Sequence, residues 1–269
     1  MALGELIFVG LGLYDERAIS LRGLEEVKDA DTVFAEFYTS LMPGLSVRRL
    51  EELVGREVVV VSRLALEEEG GREILREARR GKTAFLVPGD PLIATTHVDL
   101  RIRAERKGIR TRVIHGSSIV SAVVGLSGLQ NYKYGRSVTI PFPEDGFASE
   151  TPYGVIMENG ERGLHTLCFL DIKADEGRYM TVKAGLEALL EMEKKKRKGV
   201  VTRESLVVGV ARAGSEDPIV KAGYVGELLD YEFGAPPHTL VFPCRLHFME
   251  AEALIVLAGA PEEIREMVE

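Results

Sequence analysis

The stretch TAFLVPGDPLIATTHVDLRIRAERKGIRTRVIHG, residues 83–116, contains the pattern that decides the fold of this chain. TAFLVPGD predicts a buried strand, TTHVDLRIRAERKGI predicts a helix that ends near Gly108, and RTRVIHG predicts a second strand. A strand, a helix and a strand in this order form a crossover unit that places two parallel strands in one sheet. The stretch therefore predicts an α/β fold.

The same alternation runs through the first half of the chain. ELIFVGLGL, DTVFAEF and EVVVVS predict further strands, and each is followed by a helical segment: ISLRGLEEVKDA, SVRRLEELVG and GREILREARRGK. Ser20 and Ser46 stand where helix N-caps belong, and Gly55 stands where a helix ends. SSIVSAVVGLSG predicts one more short helix. We expect residues 1–134 to form one α/β domain with a mostly parallel sheet.

The second half also combines strands with helices. VTIPF, LHTLCFLDI, SLVVGVARAG and HTLVFPC predict strands, while TPYGVIMENGERG and TVKAGLEALLEMEKKKRKG predict helices, the latter capped by Thr181. IVKAGYVGELL fits either a helix or a hairpin, and AEALIVLAGA predicts a final element. We expect residues 135–269 to form a second α/β domain of similar size.

The composition is that of a globular protein, and it disfavours two classes of partner. The 269 residues carry a formal net charge of −8, which disfavours nucleic-acid binding because such binding depends on clustered Lys and Arg. No run of about 18 apolar residues is present, so no membrane span is expected. MALGELIFVG reads as a strand rather than a signal peptide, and the protein is predicted to be cytoplasmic.

Three smaller features have structural interpretations. The basic run KKKRKG, residues 194–199, ends a helical pattern, so its cations are expected to complement a helix dipole in preference to forming a docking patch for an acidic partner. Cys168 and Cys244 lie in apolar runs and are expected to be buried thiols. Side-chain amides are scarce throughout the chain, a bias that is typical of thermophiles.

Two glycines follow the first predicted strand. In VGLGLYDE, residues 9–16, Gly10 and Gly12 would let backbone amides approach a ligand closely. A dinucleotide fingerprint would place a third glycine where this chain has Asp15, whose charge would repel a pyrophosphate. NAD or FAD binding is therefore disfavoured, and a tight turn and a ligand loop are equally compatible with these residues.

Two later strands end in polar turns, at the sheet edge where ligands of α/β proteins bind. In PGDPLIATTH, Asp90 stands between a glycine and a proline, and it could face a ligand or belong to a plain turn whose Thr95 caps the next helix. In HGSSIVSAV, Ser117 and Ser118 could cap a helix, which is the commoner arrangement, or leave its first amides to a carboxylate. The role of His97 is left open.

The residues show no catalytic or metal-binding constellation. The five histidines have no ligand spacing to one another or to cysteine, so no metal site is predicted. No serine has the flanking glycines of a nucleophile elbow. No catalytic residue is therefore assigned.

Several motifs together resemble those of the archaeal diphthine synthases, a family of the tetrapyrrole-methylase fold class. They are GLGLYDER, FAEFYTSLM, PGDPLIATTHVDLRIRA, ERGLHTLCFLDIKA, ARAGS and PPHTLVFPCRLHFMEAEAL, which occur in this order over nearly the whole chain. The resemblance implies two α/β domains, the first with a mostly parallel sheet and the second with a mixed sheet. It also implies a cleft for S-adenosylmethionine between them, and a homodimer.

The resemblance further implies the reaction. Members of this family transfer methyl groups from S-adenosylmethionine to the amino group of a 3-amino-3-carboxypropyl-histidine in translation elongation factor 2, giving diphthine in diphthamide biosynthesis. Because the sulfonium is already activated, such an enzyme mainly aligns the reactants and excludes water. This requirement agrees with the lack of a catalytic constellation in the sequence.

Eight cofactor-contact residues carry over from the resemblance to matching positions of this chain. Five belong to the first predicted domain and three to the second. They are Leu13, Asp90, Ile93, Ser118, Ile119, Leu170, Ala213 and His238.

Three alternative functions are weighed against this reading. A small-molecule methyltransferase of the same fold, acting on a corrin precursor, would need a deep cleft for a macrocycle. An NAD-dependent oxidoreductase is disfavoured by Asp15, which replaces the third glycine of the fingerprint. A non-catalytic binding module would have no use for the cofactor residues.

Overall fold

The computed structural model describes residues 4–143 and 148–268. The chain forms two compact units. The first extends to Ile119 and includes the short segment Ala174–Glu176, and the second comprises Val120–Lys173 and the chain from Gly177 onward.

The first unit is built on a five-stranded sheet that is parallel throughout. Its strands are β1 (Glu5–Gly10), β2 (Thr32–Ala35), β3 (Val59–Val60), β4 (Lys82–Val87) and β5 (Arg110–Ile114). The order across the sheet is β3-β2-β4-β1-β5, so β1 pairs with both β4 and β5. The parallel sheet predicted from the alternation of strands and helices is confirmed.

Alternate residues of these strands face two apolar layers, because side chains of a strand point to opposite faces in turn. Leu6 and Phe8 belong to one buried cluster, and Ile7 and Val9 belong to the other. Both faces are thus covered, as a parallel sheet requires. The covering helices of this unit are α1 (Leu21–Lys28), α2 (Val47–Val54), α3 (Arg63–Glu67), α4 (Arg72–Arg80) and α5 (Val98–Arg106).

The caps predicted for the first two helices are confirmed. Ser20 accepts a hydrogen bond from the amide of Gly23 at 3.1 Å, and Ser46 accepts one from Arg49 at 3.5 Å. Gly55 ends α2 with a φ of 68°, a left-handed conformation that glycine adopts without strain.

Two elements of the first unit differ from the prediction. EVVVVS was expected to be a full strand, but β3 spans two residues, both exposed at the edge of the sheet. Helix α3 was not predicted, and it starts where Ser62 caps the amide of Ala65. Its single turn is too short to show a helical period in the sequence.

The second unit is built on a mixed five-stranded sheet and a two-stranded hairpin. The sheet contains β6 (Val138–Ile140), β7 (Thr166–Leu170), β10 (Leu206–Ala211), β11 (Ile219–Tyr224) and β12 (His238–Phe242), and the hairpin contains β8 (Ile172–Lys173) and β9 (Arg178–Tyr179). The order is β11-β10-β12-β7-β6, with β6 parallel to β7 and the other pairs antiparallel. The mixed sheet implied by the resemblance is confirmed.

Five helices belong wholly or mostly to the second unit. They are α6 (Ile119–Ser127), α7 (Thr151–Glu161), α8 (Val182–Lys196), α9 (Val225–Leu228) and α10 (Phe248–Ala258). Thr181 caps α8 by accepting from the amide of Ala184 at 3.2 Å, as predicted. IVKAGYVGELL contains both alternatives that its pattern allowed, a strand of a hairpin (β11) and then a short helix (α9).

The basic run lies in the last turn of α8 and just beyond it. Lys196 pairs with Glu150 at 2.5 Å, and Lys194 lies 3.5 Å from Glu191. This is the helix-terminal position that the pattern favoured. Both cysteines are free, Cys168 being buried and Cys244 half-buried.

The predicted domain boundary at residue 134 stays a prediction. It falls between α6 and β6, so it assigns the strands to the two sheets as the compact units do. Within the described chain, none of the helices combines the length and the apolar character needed to span a membrane.

Candidate functional site

Three glycines pack together where β1, β4 and β5 end. A Cβ on Gly10 would lie 2.5 Å from the carbonyl oxygen of Gly89 and 2.5 Å from the amide nitrogen of Gly116. No side chain fits that space, since real Cβ atoms do not approach backbone so closely. Glycine is therefore required at residue 10, and the loops that follow the three strands start from one point of the sheet edge.

The loop after β1 is tied to the loop after β4. Gly12 and Gly89 exchange two backbone hydrogen bonds, with N–O distances of 3.2 and 2.8 Å. Leu13 follows this bridge and is half-buried. Asp15 accepts from the amide of Arg17 at 3.0 Å and caps the short 3₁₀ helix Glu16–Ala18. The acidic residue that replaces a fingerprint glycine thus has a local structural role.

Asp90 is buried at the start of the loop that follows β4. Its Oδ1 accepts from the amide of Leu92 at 3.3 Å, and its Oδ2 lies 2.6 Å from Nδ1 of His115, a residue of the loop after β5. Ile93 is 45% exposed and stands outward from the same loop. Ala94 has a φ of 56°, in the left-handed region that is strained for a residue with a Cβ.

The cap predicted for the helix after this loop is wrong. Helix α5 starts at Val98, and its N-cap position is occupied by His97, not by Thr95. Thr95 instead donates its hydroxyl to the carbonyl of Pro91 at 2.9 Å, inside the loop. Two residues, Thr96 and His97, separate Thr95 from the first helical residue, a boundary shift that single-residue preferences do not resolve.

Ser118 and Ile119 lie where the chain leaves the sheet after β5. Ser118 directly precedes α6, and Ile119 is its first residue. Both are half-buried. The five cofactor residues predicted for the first unit therefore all lie in segments that follow strands β1, β4 and β5 at the carboxyl edge of its sheet, where ligands of parallel sheets bind.

The three residues predicted for the second unit meet at one edge of its sheet. Leu170 ends β7, Ala213 follows β10 by two residues, and His238 begins β12, which runs antiparallel between those two strands. Because Ala211 pairs with His238 and Phe169 pairs with Thr239, the ends of the three strands are level. Residues far apart in sequence thus become neighbours across this edge.

His238 is buried, and its two ring nitrogens differ in their hydrogen bonding. Its Nδ1 accepts from the amide of Val182 at 3.2 Å. Burial lowers the pKa of the imidazole, and the backbone of Ala235 offsets only part of that shift, so the ring is neutral at pH 7. Nε2 makes no hydrogen bond of ordinary geometry within the described part of the chain, although the backbone of Ala235 and Gly234 lies near enough to the ring to raise its pKa in part.

The turn after β10 has two further features that are common at ligand-binding sites, a strained backbone and a buried polar atom without a partner in the described residues. Arg212 has a φ of 51°, a strained value for a residue with a side chain. Its guanidinium donates to the carbonyls of Phe233 and Ala235 at 2.8 and 2.7 Å, which holds the turn. The hydroxyl oxygen of Ser215 is buried and, among the residues described, has no partner. Ser215 was not singled out from the sequence, although it closes the ARAGS motif.

A buried acid–imidazole pair lies next to the loop of Asp90. Glu36 is fully buried at the end of β2, and its Oε1 lies 3.1 Å from Nε2 of His97. Its Oε2 accepts from the amides of Tyr38 and Thr39 at 2.9 and 3.0 Å. The sequence did not indicate a role for His97, and Glu36 was not predicted as a site residue. The available signal for Glu36 was a charged residue directly after an apolar strand.

No metal centre is evident. Among residues 4–143 and 148–268, no three His, Cys, Asp or Glu side chains are placed to hold an ion. Two open cavities of about 1090 and 680 Å³ lie on the second unit, beside α8 and beside α7, and they are lined by residues other than the eight predicted contacts.

Comparison with known proteins identifies the family of this chain. Residues 5–229 match the family of tetrapyrrole (corrin/porphyrin) methylases. The chain is 53% identical to a diphthine synthase of Methanosarcina mazei, over 98% of this chain and 100% of that protein. It is 49% identical to a diphthine synthase of Methanothermobacter thermautotrophicus, over 97% and 98% of the two chains.

A solved structure agrees with the sequence relatives. A crystal structure of diphthine synthase superimposes with a TM-score of 0.89 at 42% identity, covering 98% of this chain and 100% of that one. Similarity at this level over full length extends to family as well as to fold. The chain therefore belongs to the tetrapyrrole methylase family and, within it, to the diphthine synthases.

Proposed function

We propose that this protein is an S-adenosylmethionine-dependent methyltransferase of diphthamide biosynthesis, which methylates the amino group of the 3-amino-3-carboxypropyl-histidine of translation elongation factor 2 and yields diphthine. The observation that carries this proposal is the 53% identity to a diphthine synthase over the full length of both chains. The cytoplasmic location and the homodimer predicted from the sequence are part of the same proposal.

The residues of the first unit suit one part of the cofactor. Asp90 is a buried carboxylate at a sheet edge, so it can accept hydrogen bonds from an ammonium or from ribose hydroxyls. Leu13 and Ile93 are apolar residues of the two loops joined by Gly12 and Gly89, and the exposed side chain of Ile93 is available to a ligand. This mixture of one directed polar group and several apolar ones is typical of small-molecule sites.

The residues predicted for the second unit suit a different part of the cofactor. The neutral ring of His238 and the Ser215 hydroxyl can each donate or accept, so this edge can satisfy acceptor atoms of a purine, a ribose or a carboxylate. A buried polar atom that lacks a partner costs free energy, which a bound ligand recovers. Leu170 and Ala213 supply apolar surface beside them.

The chemistry asks little of side chains beyond binding and alignment. When bound, S-adenosylmethionine supplies a methyl group on a sulfonium that is already activated for in-line displacement. The residues of this chain hold and orient the reactants and exclude water, which suffices for a large part of the rate acceleration. No general base is assigned.

The decisive experiment uses the protein substrate. The protein is incubated with methyl-labelled S-adenosylmethionine and with archaeal elongation factor 2 that already carries the 3-amino-3-carboxypropyl group. We expect label on the modified histidine, identified by peptide mass spectrometry, and no label on unmodified factor. Absence of label in the factor, although the cofactor binds in calorimetry, would overturn the proposal.

A second candidate function follows from the wider family. The matching family model is named for tetrapyrrole methylases, which favours a corrin precursor as the alternative acceptor. The same labelled reaction, run with a corrin precursor in place of the elongation factor, separates the two functions. The full-length match to diphthine synthases favours the protein substrate.

A further inference from the structure

The segment Pro88–His97, here called the Asp90 loop, is anchored at its start. Gly89 forms two backbone hydrogen bonds with Gly12, and Asp90 itself contacts Leu92 and His115. These contacts fix the first residues after β4. Two hydrogen bonds within the loop extend this anchorage: the amide of Ile93 donates to the carbonyl of Asp90 at 3.3 Å, and the hydroxyl of Thr95 donates to the carbonyl of Pro91 at 2.9 Å.

The end of the Asp90 loop has a different anchor. His97, the last loop residue before α5, lies with its Nε2 3.1 Å from Oε1 of Glu36. Glu36 also accepts from two amides and from the hydroxyl of Thr39, so the carboxylate is held rigidly by its own loop. The His97 contact therefore joins the end of the Asp90 loop to the loop after β2, across 61 residues of sequence.

Between these two anchored ends, the loop contains one residue with a strained backbone and one with an exposed side chain. Ala94 has a positive φ, and a strained backbone persists when the surrounding contacts determine it. The side chain of Ile93, the predicted cofactor contact, is 45% exposed. The conformation of Ile93 thus depends on what fixes both ends of the loop.

His97 itself is too deeply placed to touch a ligand. Its side chain is 1% exposed, and its ring packs edge-on against Phe85 at a centroid distance of 5.2 Å and against Tyr38 at 6.2 Å. A buried imidazole that donates to a buried carboxylate is a means of fixing position.

We propose that Glu36 and His97 are a positioning pair that holds the Asp90 loop in its cofactor-binding conformation. This inference rests on the proposed function, because it states that the pair serves to maintain affinity for the cofactor. Loss of the contact leaves the loop to sample other conformations, and the apparent affinity falls in proportion to the fraction that remains competent.

The test compares three variants of the full-length protein. His97→Ala removes the donor, His97→Gln keeps an N–H at similar reach, and Tyr38→Phe is the matched control because it removes only a hydroxyl that has no partner in the described residues and keeps the ring beside His97. Affinity for S-adenosylmethionine is measured by calorimetry and stability by thermal unfolding. KM and kcat are measured with modified elongation factor 2.

We expect His97→Ala to weaken cofactor binding about tenfold or more, with a matching rise in KM for the cofactor and a kcat within about threefold of wild type. His97→Gln should recover most of the affinity, and Tyr38→Phe should bind as wild type does. If His97→Ala does not fold, His97→Asn, whose amide is shorter, takes its place against His97→Gln.

Two results would overturn the inference. One is wild-type cofactor affinity in His97→Ala or His97→Asn. The other is a loss of thermal stability in the variants that is unaccompanied by any change of affinity, which would make the pair purely structural. If the wild-type protein itself fails to bind S-adenosylmethionine, the proposed function fails first, so the two failures are distinguishable.

Discussion

Asp90 and His115 connect the loops that follow β4 and β5 through a 2.6 Å contact between Oδ2 and Nδ1. Asp90 is buried, whereas the side chain of His115 is 79% exposed. The orientation of the Asp90 carboxylate is therefore set in part by its contact with His115, whose side chain is exposed to solvent. We take Asp90 as the polar contact of the first unit for the cofactor.

Replacement of Asp90 by Ala should weaken binding of S-adenosylmethionine about tenfold or more, because a charged hydrogen-bond acceptor is lost from the proposed site. Calorimetry measures the effect. Asp99→Ala is the matched control, since Asp99 is exposed on α5 and pairs with Arg103. Equal affinities of Asp90→Ala and wild type would remove Asp90 from the site.

His238 should make stability depend on pH. Its folded-state pKa lies below the usual 6.5, so the unfolded chain binds the proton more readily. The free energy of unfolding of wild type, relative to His238→Gln, should therefore fall as pH drops from about 7.5 through 6.5 towards about 5. Urea unfolding at each pH tests this, and a difference that is constant with pH would contradict a buried neutral imidazole.

Replacement of Glu250 should lower the stability of the second unit substantially. It is fully buried and accepts from His165 at 2.9 Å and from Lys133 at 2.8 Å. Burial alone would raise its pKa, but these hydrogen bonds and those of the amides of His247 and Gln130 outweigh burial and hold the pKa at about 2.

Glu250→Gln is expected to lower the free energy of unfolding by about 3 kcal/mol at pH 7, because Lys133 loses its buried counter-charge. The carboxylate contribution is present above pH 4.5 and is lost as pH falls towards about 2, so the difference from wild type should shrink in acid. Urea unfolding measures it. Glu52→Gln, at an exposed pair with Arg48, should change stability by less than about 1 kcal/mol at either pH.

The same substitution at two tyrosines should have opposite consequences for stability. The hydroxyl of Tyr38 is buried and, in the described structure, unpartnered, so Tyr38→Phe should leave the free energy of unfolding unchanged or raise it slightly. Tyr153 donates its hydroxyl to Glu193 at 2.7 Å, so Tyr153→Phe should cost about 1 to 3 kcal/mol. Chemical denaturation compares the two, and a Tyr38→Phe variant as unstable as Tyr153→Phe would reveal an unrecognised partner of Tyr38.

Gly10→Ala should disrupt the meeting point of the three loops. Its Cβ would lie 2.5 Å from backbone atoms of Gly89 and Gly116, so the loops must separate, at a cost of about 2 kcal/mol or more and with loss of cofactor affinity. Gly154→Ala is the matched control, because a Cβ there meets no atom within 4 Å and residue 154 lies in α7. That variant should be slightly more stable than wild type. Wild-type affinity in Gly10→Ala would contradict the role given to the glycine cluster.

Local chemistry in the sequence predicted much of the framework. Strands β1 and β4 are apolar runs with glycine or proline at or just after their ends, and Ser20, Ser46 and Thr181 cap helices as their types suggest. These features depend on residues within one turn or one strand of each other. For the same reason the strand ends that carry Asp90 and Leu13 could be located from the sequence.

Contacts between distant residues could not be predicted in this way. The pairing of Glu36 with His97 crosses 61 residues, and the level alignment of Leu170 with His238 depends on the order of strands in the second sheet. Thr95 has the chemistry of a helix cap, but the loop uses its hydroxyl internally. In each case the tertiary arrangement decides among options that local sequence patterns do not distinguish.

The central position of β12 has a consequence for biosynthesis. β12 lies between β10 and β7 and pairs with both, so each of these strands lacks this partner until residues 238–242 have left the ribosome. During translation the second unit presents two open strand edges and lacks His238. Under the proposed function, the cofactor can therefore stabilise this unit by mass action only after nearly the whole chain has been made. Nascent chains that stop before β12 should accordingly be sensitive to protease whether or not S-adenosylmethionine is present.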